Sequence, residues 1–88
     1  MSLEREFIIV NELGLHARPA TQIVNLTNQF ECDISLTYNG ITVDMKSIMG
    51  VLSLGVTKGS MVTIRVDGPD EVDALNAISK KITDYNLR

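Results

Sequence analysis

Asp33-Ile34-Ser35-Leu36-Thr37-Tyr38-Asn39-Gly40-Ile41-Thr42-Val43 (DISLTYNGITV) decides how this chain folds. Ile34, Leu36 and Tyr38 alternate with Asp33, Ser35 and Thr37, the period of a half-buried strand. Ile41–Val43 resumes that pattern after Asn39-Gly40. An Asn-Gly pair between two such runs predicts a tight hairpin, because a type I′ turn needs positive φ at both central residues. An antiparallel sheet therefore stands at the centre of the fold.

Downstream, Ser47 has the position of an N-cap for a short helix, Ile48–Leu54, with Gly55 as its C′ stop. Val62, Ile64 and Val66 alternate with Met61, Thr63 and Arg65 to make the last strand. Asp67-Gly68-Pro69 is a turn. Asp70 then caps a final helix with Asp73 as a capping-box partner, and Val72, Leu75, Ile78, Ile82 and Tyr85 run down its buried side. Lys80 and Lys81 lie in its C-terminal half, on the side the dipole favours for cations. Upstream, Ala20, Ile23, Val24 and Thr27 form the stripe of a helix starting near His16–Arg18. Pro19 is tolerated in its first turn. Asn11–Leu15 is a polar, Gly-broken loop, and Arg5–Val10 is a strand with Phe7 and Ile9 on one face and Ile8 and Val10 on the other. The order β-α-β-β-α-β-α predicts an α+β protein of two layers, both long helices covering one face of the sheet. The short middle helix carries Ile48, Met49, Val51, Leu52 and Leu54 over about two turns and cannot bury them all. Part of that surface is expected to stay exposed as a partner-docking patch.

Composition narrows the function. At 88 residues, with no linker, repeat or low-complexity segment, residues 1–88 read as one domain. The 44% hydrophobic and 22% charged content is that of a folded soluble protein and not a disordered one. No apolar run is long enough to span a membrane, and the first residues lack a signal-peptide layout, so a cytoplasmic address is expected. Cys32, the single cysteine, excludes an internal disulfide and a cysteine-built metal site. Net charge is −3 with dispersed basic residues, which argues against nucleic-acid binding. No Gly-x-x-x-x-Gly-Lys loop or acidic magnesium cluster is present, so neither a cofactor nor a metal is expected.

His16 is the one histidine, set where a Gly-containing loop enters a helix. A lone histidine is commonly a surface or capping residue. This one has chemistry around it. A neutral imidazole nitrogen is a nucleophile near neutral pH. A phosphoryl group on it would meet the backbone N–H groups of Ala17 and Arg18 and the positive end of the helix dipole. The Arg18 guanidinium adds charge-assisted hydrogen bonds. A helix start is worth about 0.3–1 kcal/mol to an anion, enough to steady a phosphoryl group and too little to trap it. A carrier is therefore expected, not a turnover enzyme.

Gly14-Leu15-His16-Ala17-Arg18-Pro19-Ala20 (GLHARPA) resembles the active-site signature of HPr, the phosphocarrier family of the bacterial phosphoenolpyruvate-dependent phosphotransferase system. Lys46-Ser47-Ile48-Met49-Gly50 (KSIMG), followed by Val51-Leu52-Ser53-Leu54-Gly55, resembles that family's second signature. The likeness runs from the first strand to the last helix. It implies an open-faced β-sandwich with strand order 1-4-2-3. It also implies phosphorylation of His16 by phospho-Enzyme I, transfer to a histidine of an EIIA protein or domain, and neutralisation by Arg18. Ile48, Met49 and Leu52 would dock both partners, which favours a monomer. The resemblance further implies regulatory phosphorylation of Ser47 by HPr kinase/phosphorylase and contact with a transcriptional regulator. Ser47 as a plain N-cap needs neither. Asn11-Glu12-Leu13 before the signature is similar to relatives of the nitrogen-related branch, which leaves a regulatory carrier with no sugar-transport role as the alternative.

Overall fold

In the computed structural model, which describes residues 2–87, four strands form one antiparallel sheet in the order β1-β4-β2-β3. The elements are β1 (Ser2–Ile9), α1 (Ala17–Thr27), β2 (Asp33–Tyr38), β3 (Ile41–Asp44), α2 (Ile48–Ser53), β4 (Ser60–Asp67) and α3 (Glu71–Asn86). The hairpin forms as the pattern requires: Tyr38 pairs with Ile41, and Asn39 and Gly40 have φ of 52° and 77°.

β4 lies between β1 and β2, with Phe7 opposite Val62 and Leu36 opposite Ile64. Ile34, Leu36, Val62, Ile64 and Val66 are buried against Ala20, Ile23 and Val24 of α1 and Leu75, Ile78 and Ile82 of α3. Thr27 is fully buried; its hydroxyl donates to the Val24 carbonyl at 2.7 Å and lies 3.1 Å from the Met45 carbonyl, tying the end of α1 to the approach to α2. No helix among the described residues is long and apolar enough to cross a membrane.

Four expectations need correction. β1 starts at Ser2 and ends at Ile9, because the whole edge segment pairs with β4; Val10 lies beyond it, half exposed. On α3 the buried stripe takes in Ala74, whereas Val72 is 56% exposed, because the 3.6-residue turn places it well to the side of the stripe through Leu75, Ile78, Ile82 and Tyr85. Asp70 does occupy the N-cap position, but its side chain makes no cap hydrogen bond and Asp73 completes no capping box. The Asp70 carboxylate accepts instead from the amides of Glu31 at 2.8 Å and Cys32 at 2.9 Å, so a tertiary partner has outcompeted the local one. The Gly68 amide donates to Glu71 Oε1 at 3.0 Å. Lys80 and Lys81 precede the last turn of α3, which contains no basic residue, and the dipole's reach ends within that turn.

Candidate functional site

The loop before α1 is held from three directions. Gly14 has φ +62°, and a Cβ there would come within 2.9 Å of Thr57 Cα besides striking the Val56 carbonyl. Only glycine fits both the backbone angle and the gap. The next residue, Leu15, is buried, and its amide donates to the Val56 carbonyl at 3.0 Å. From α3, the Tyr85 hydroxyl donates to the Gly14 carbonyl. Lys58 Nζ pairs with Glu12 at 2.7 Å across the outside of the loop and holds the Glu12 carboxyl below its usual range, chiefly through this hydrogen bond.

With Leu15 anchored inward, the following residues face out. His16 is exposed and occupies the N-cap of α1 with extended backbone (φ −84°, ψ −179°). Its carbonyl accepts the first helical bond, from Ala20 N at 3.1 Å, while its side chain caps nothing. The first turn carries no acidic residue. The amides of Ala17 and Arg18 are thus left to an incoming acceptor, and Pro19 brings no N–H to the turn. His16 and Arg18 line one shallow cavity of about 180 Å³ together with Asn11, Leu13, Pro19, Gln22 and Tyr85.

The second signature forms α2. Ser47 Oγ accepts from Gly50 N at 3.1 Å, the expected cap. Lys46, its neighbour, donates from Nζ to the Phe30 carbonyl at 2.7 Å, and the Lys46 carbonyl accepts from Asn28 Nδ2 at 3.1 Å. These bonds tie the cap to the end of α1. Gly50 brings α2 close to β3, since a Cβ there would sit 3.4 Å from the Asp44 carbonyl and Val43 Cβ. The apolar residues divide as a short helix demands: Val51 is buried, Leu52 and Leu54 are half-buried against the core, Ile48 is 36% exposed and Met49 is 79% exposed. Cys32 is buried against Asp70, and desolvation pushes its thiol up to about 11. Among the described residues, no group of three or more His, Cys, Asp or Glu is arranged to hold a metal.

Sequence reasoning did not single out Leu13, Gln22 or Tyr85 as site residues. Leu13 is 68% exposed beside His16, and an apolar residue in an otherwise polar loop was the available signal. Tyr85 is separated from Gly14 by 71 positions and read only as part of a core stripe.

Fold and site together define a small α+β protein that presents one exposed histidine at an uncapped helix start. Residues 3–84 match the family described as the PTS HPr component phosphorylation site, and the chain belongs to this HPr phosphocarrier family. Solved structures agree. A phosphocarrier protein HPr from Bacillus anthracis is 39% identical, with 91% of this chain and 95% of that one covered and a TM-score of 0.86. A histidine-containing phosphocarrier protein of Mycoplasma is 33% identical over 97% of each chain, with a TM-score of 0.93. Crh, a catabolite-repression protein of Bacillus subtilis solved as a domain-swapped dimer, is 36% identical, with 92% and 93% covered and a TM-score of 0.75.

Proposed function

We propose that this protein is a relay in which His16 accepts a phosphoryl group from phospho-Enzyme I and passes it to an EIIA protein or domain. The observation that carries the reading is the exposed His16 at the mouth of α1, with no side-chain cap and no acidic residue in the turn behind it. In the accepting step the ring nitrogen, Nδ1, attacks phosphorus. A nitrogen–phosphorus bond forms as the donor's bond to phosphorus breaks, and the donor keeps that electron pair. The Ala17 and Arg18 amides and the Arg18 guanidinium bear the oxygen charge. The next acceptor reverses these roles. The protein ends each cycle unchanged but makes and breaks bonds only with a partner enzyme, so it is not an enzyme by itself.

Ile48, Met49 and Leu52 serve as the docking patch, on the helix that packs against α1. A shared patch must be uncovered at each encounter, which favours a monomer working in the cytoplasm. Ser47 doubles as a regulatory phosphorylation site for a kinase of the HPr kinase/phosphorylase type, its phosphate placing about −2 of charge beside the patch. In that state the protein serves a transcriptional regulator instead of Enzyme I.

Incubation with phosphoenolpyruvate and Enzyme I should give an acid-labile, base-stable phosphate. His16→Ala should abolish it, and Arg18→Ala should slow it by about tenfold or more. Label that survives in His16→Ala overturns the assignment. Ser47→Asp should fold normally yet accept phosphate from Enzyme I markedly more slowly than the parent; equal rates would remove the regulatory reading.

A second reading keeps this chemistry and changes the circuit, making the chain a regulatory carrier of the nitrogen-related branch without sugar transport. The Asn11-Glu12-Leu13 loop, similar to that of nitrogen-branch relatives, supports it, and exposed Leu13 lies in the His16 cavity where a donor would meet it. Faster labelling by the nitrogen-branch Enzyme I than by the sugar-branch enzyme is the result it requires.

A further inference from the structure

The last turn of α3 reaches back across the molecule to the loop that carries His16. Asn86 Oδ1 accepts from Val10 N at 3.0 Å, and Asn86 Nδ2 donates to the Ile8 carbonyl at 2.8 Å. Asn11 Nδ2 donates to the Tyr85 carbonyl at 3.2 Å, and Asn11 Oδ1 accepts from Leu13 N at 3.1 Å. These bonds fix where the loop begins. The Tyr85 hydroxyl fixes where it ends, at the Gly14 carbonyl two residues before His16. Tyr85 is buried, and it also lines the cavity shared by His16 and Arg18. Burial raises the phenol above its ordinary value, so the hydroxyl keeps its proton and remains a donor through neutral pH.

Gly14 sits in the left-handed region, where glycine has more backbone freedom than any other residue. Leu15 N on the Val56 carbonyl holds one side of the peptide that joins Gly14 to Leu15, and the Tyr85 hydroxyl holds the other. With both in place that peptide plane cannot rotate, and the direction in which His16 leaves the loop is set. We propose that Tyr85 is a positioning residue for phosphoryl transfer: its hydroxyl, acting through the Gly14 carbonyl, aims the His16 imidazole at the donor. The inference rests on the reading of His16 as the phosphoryl acceptor and adds to it a residue from the opposite end of the chain.

Tyr85→Phe keeps the buried ring and removes the one bond. The expected result is a fall of about tenfold in kcat for phosphorylation by Enzyme I, since a small misplacement of reacting atoms is costly. KM for phospho-Enzyme I should stay unchanged because the α2 patch is untouched. Labelling by phosphoramidate, a small donor that needs no docking, should slow in parallel. Amide hydrogen exchange at Leu15 and His16 should quicken, while exchange in β4 and α2 stays as in the parent. A substitution that merely weakened the fold would speed exchange everywhere. A Tyr85→Phe protein with parental kcat and parental exchange at Leu15 and His16 overturns the proposal. A parent protein that takes no label from either donor defeats the His16 reading instead. The exchange comparison still decides the clamp in that case, and unchanged exchange at Leu15 and His16 overturns it.

Discussion

Gly14 shows how much one position can carry. Its φ of +62° and its contact with residues 56 and 57 are separate demands, and alanine violates both. Gly14→Ala is expected to lower stability by about 1–3 kcal/mol from the backbone angle, with more from displacement of the Val56–Thr57 segment. Guanidinium denaturation measures this directly, and an unchanged midpoint would mean the loop has room that these distances deny. The glycine was legible in sequence as a loop-breaker. Its packing against residues 56 and 57 was not, because periodicity says nothing about which distant backbone a loop will touch. His16 and Arg18 were legible for the opposite reason: their setting is made by their immediate neighbours.

At the scale of the element, α2 is the informative case. Six residues cannot form a stable helix in isolation, so α2 depends on its cap and on what it packs against. Ser47 Oγ on Gly50 N supplies the cap, and buried Val51 supplies the anchor. Ser47→Ala should cost about 1 kcal/mol, within the usual 0.5–2 for a lost N-cap, and Ser47→Asp should recover most of it because aspartate caps as well as serine. Thermal unfolding of the two variants against the parent checks the order. The cap, the C′ glycine and the exposed apolar residues were all readable along the chain, since each depends on neighbours within one or two turns. Asp70 marks the limit of that reading. The residue type and place suited an N-cap, and the carboxylate was taken by Glu31 and Cys32 from another connection.

For the protein as a unit, that same junction contributes to the pH dependence of stability, beside Glu12 on the acid side and Tyr85 on the alkaline side. The Asp70 carboxyl is held below its ordinary value, first by the Glu31 amide. A depressed folded-state value contributes stability that is complete above the ordinary carboxylate range and is lost as pH falls through the lower folded value. The Cys32 thiol moves the other way, from 9.0 to about 11, chiefly by desolvation. A raised value contributes stability present below about 9 and lost as pH rises through about 11. Denaturation midpoints measured from pH 2 to 11 should therefore fall at both ends. Asp70→Asn should make the acid limb shallower, and Cys32→Ala the alkaline one, with Glu12 and Tyr85 keeping part of each slope. A profile in Cys32→Ala that still falls between pH 9 and 11 as in the parent would show that another group governs it.

The element order, the hairpin turn, most buried faces apart from Val72 on α3, and the histidine at the helix start were all legible along the chain. All of these follow from spacing, turn stereochemistry and propensity over a few residues. Closure of the fold was needed to bring Tyr85 to Gly14 and to give the Asp70 carboxylate to the α1–β2 connection. These contacts join positions far apart in the chain. Such pairings depend on how the two layers close on one another, and local pattern carries no record of it.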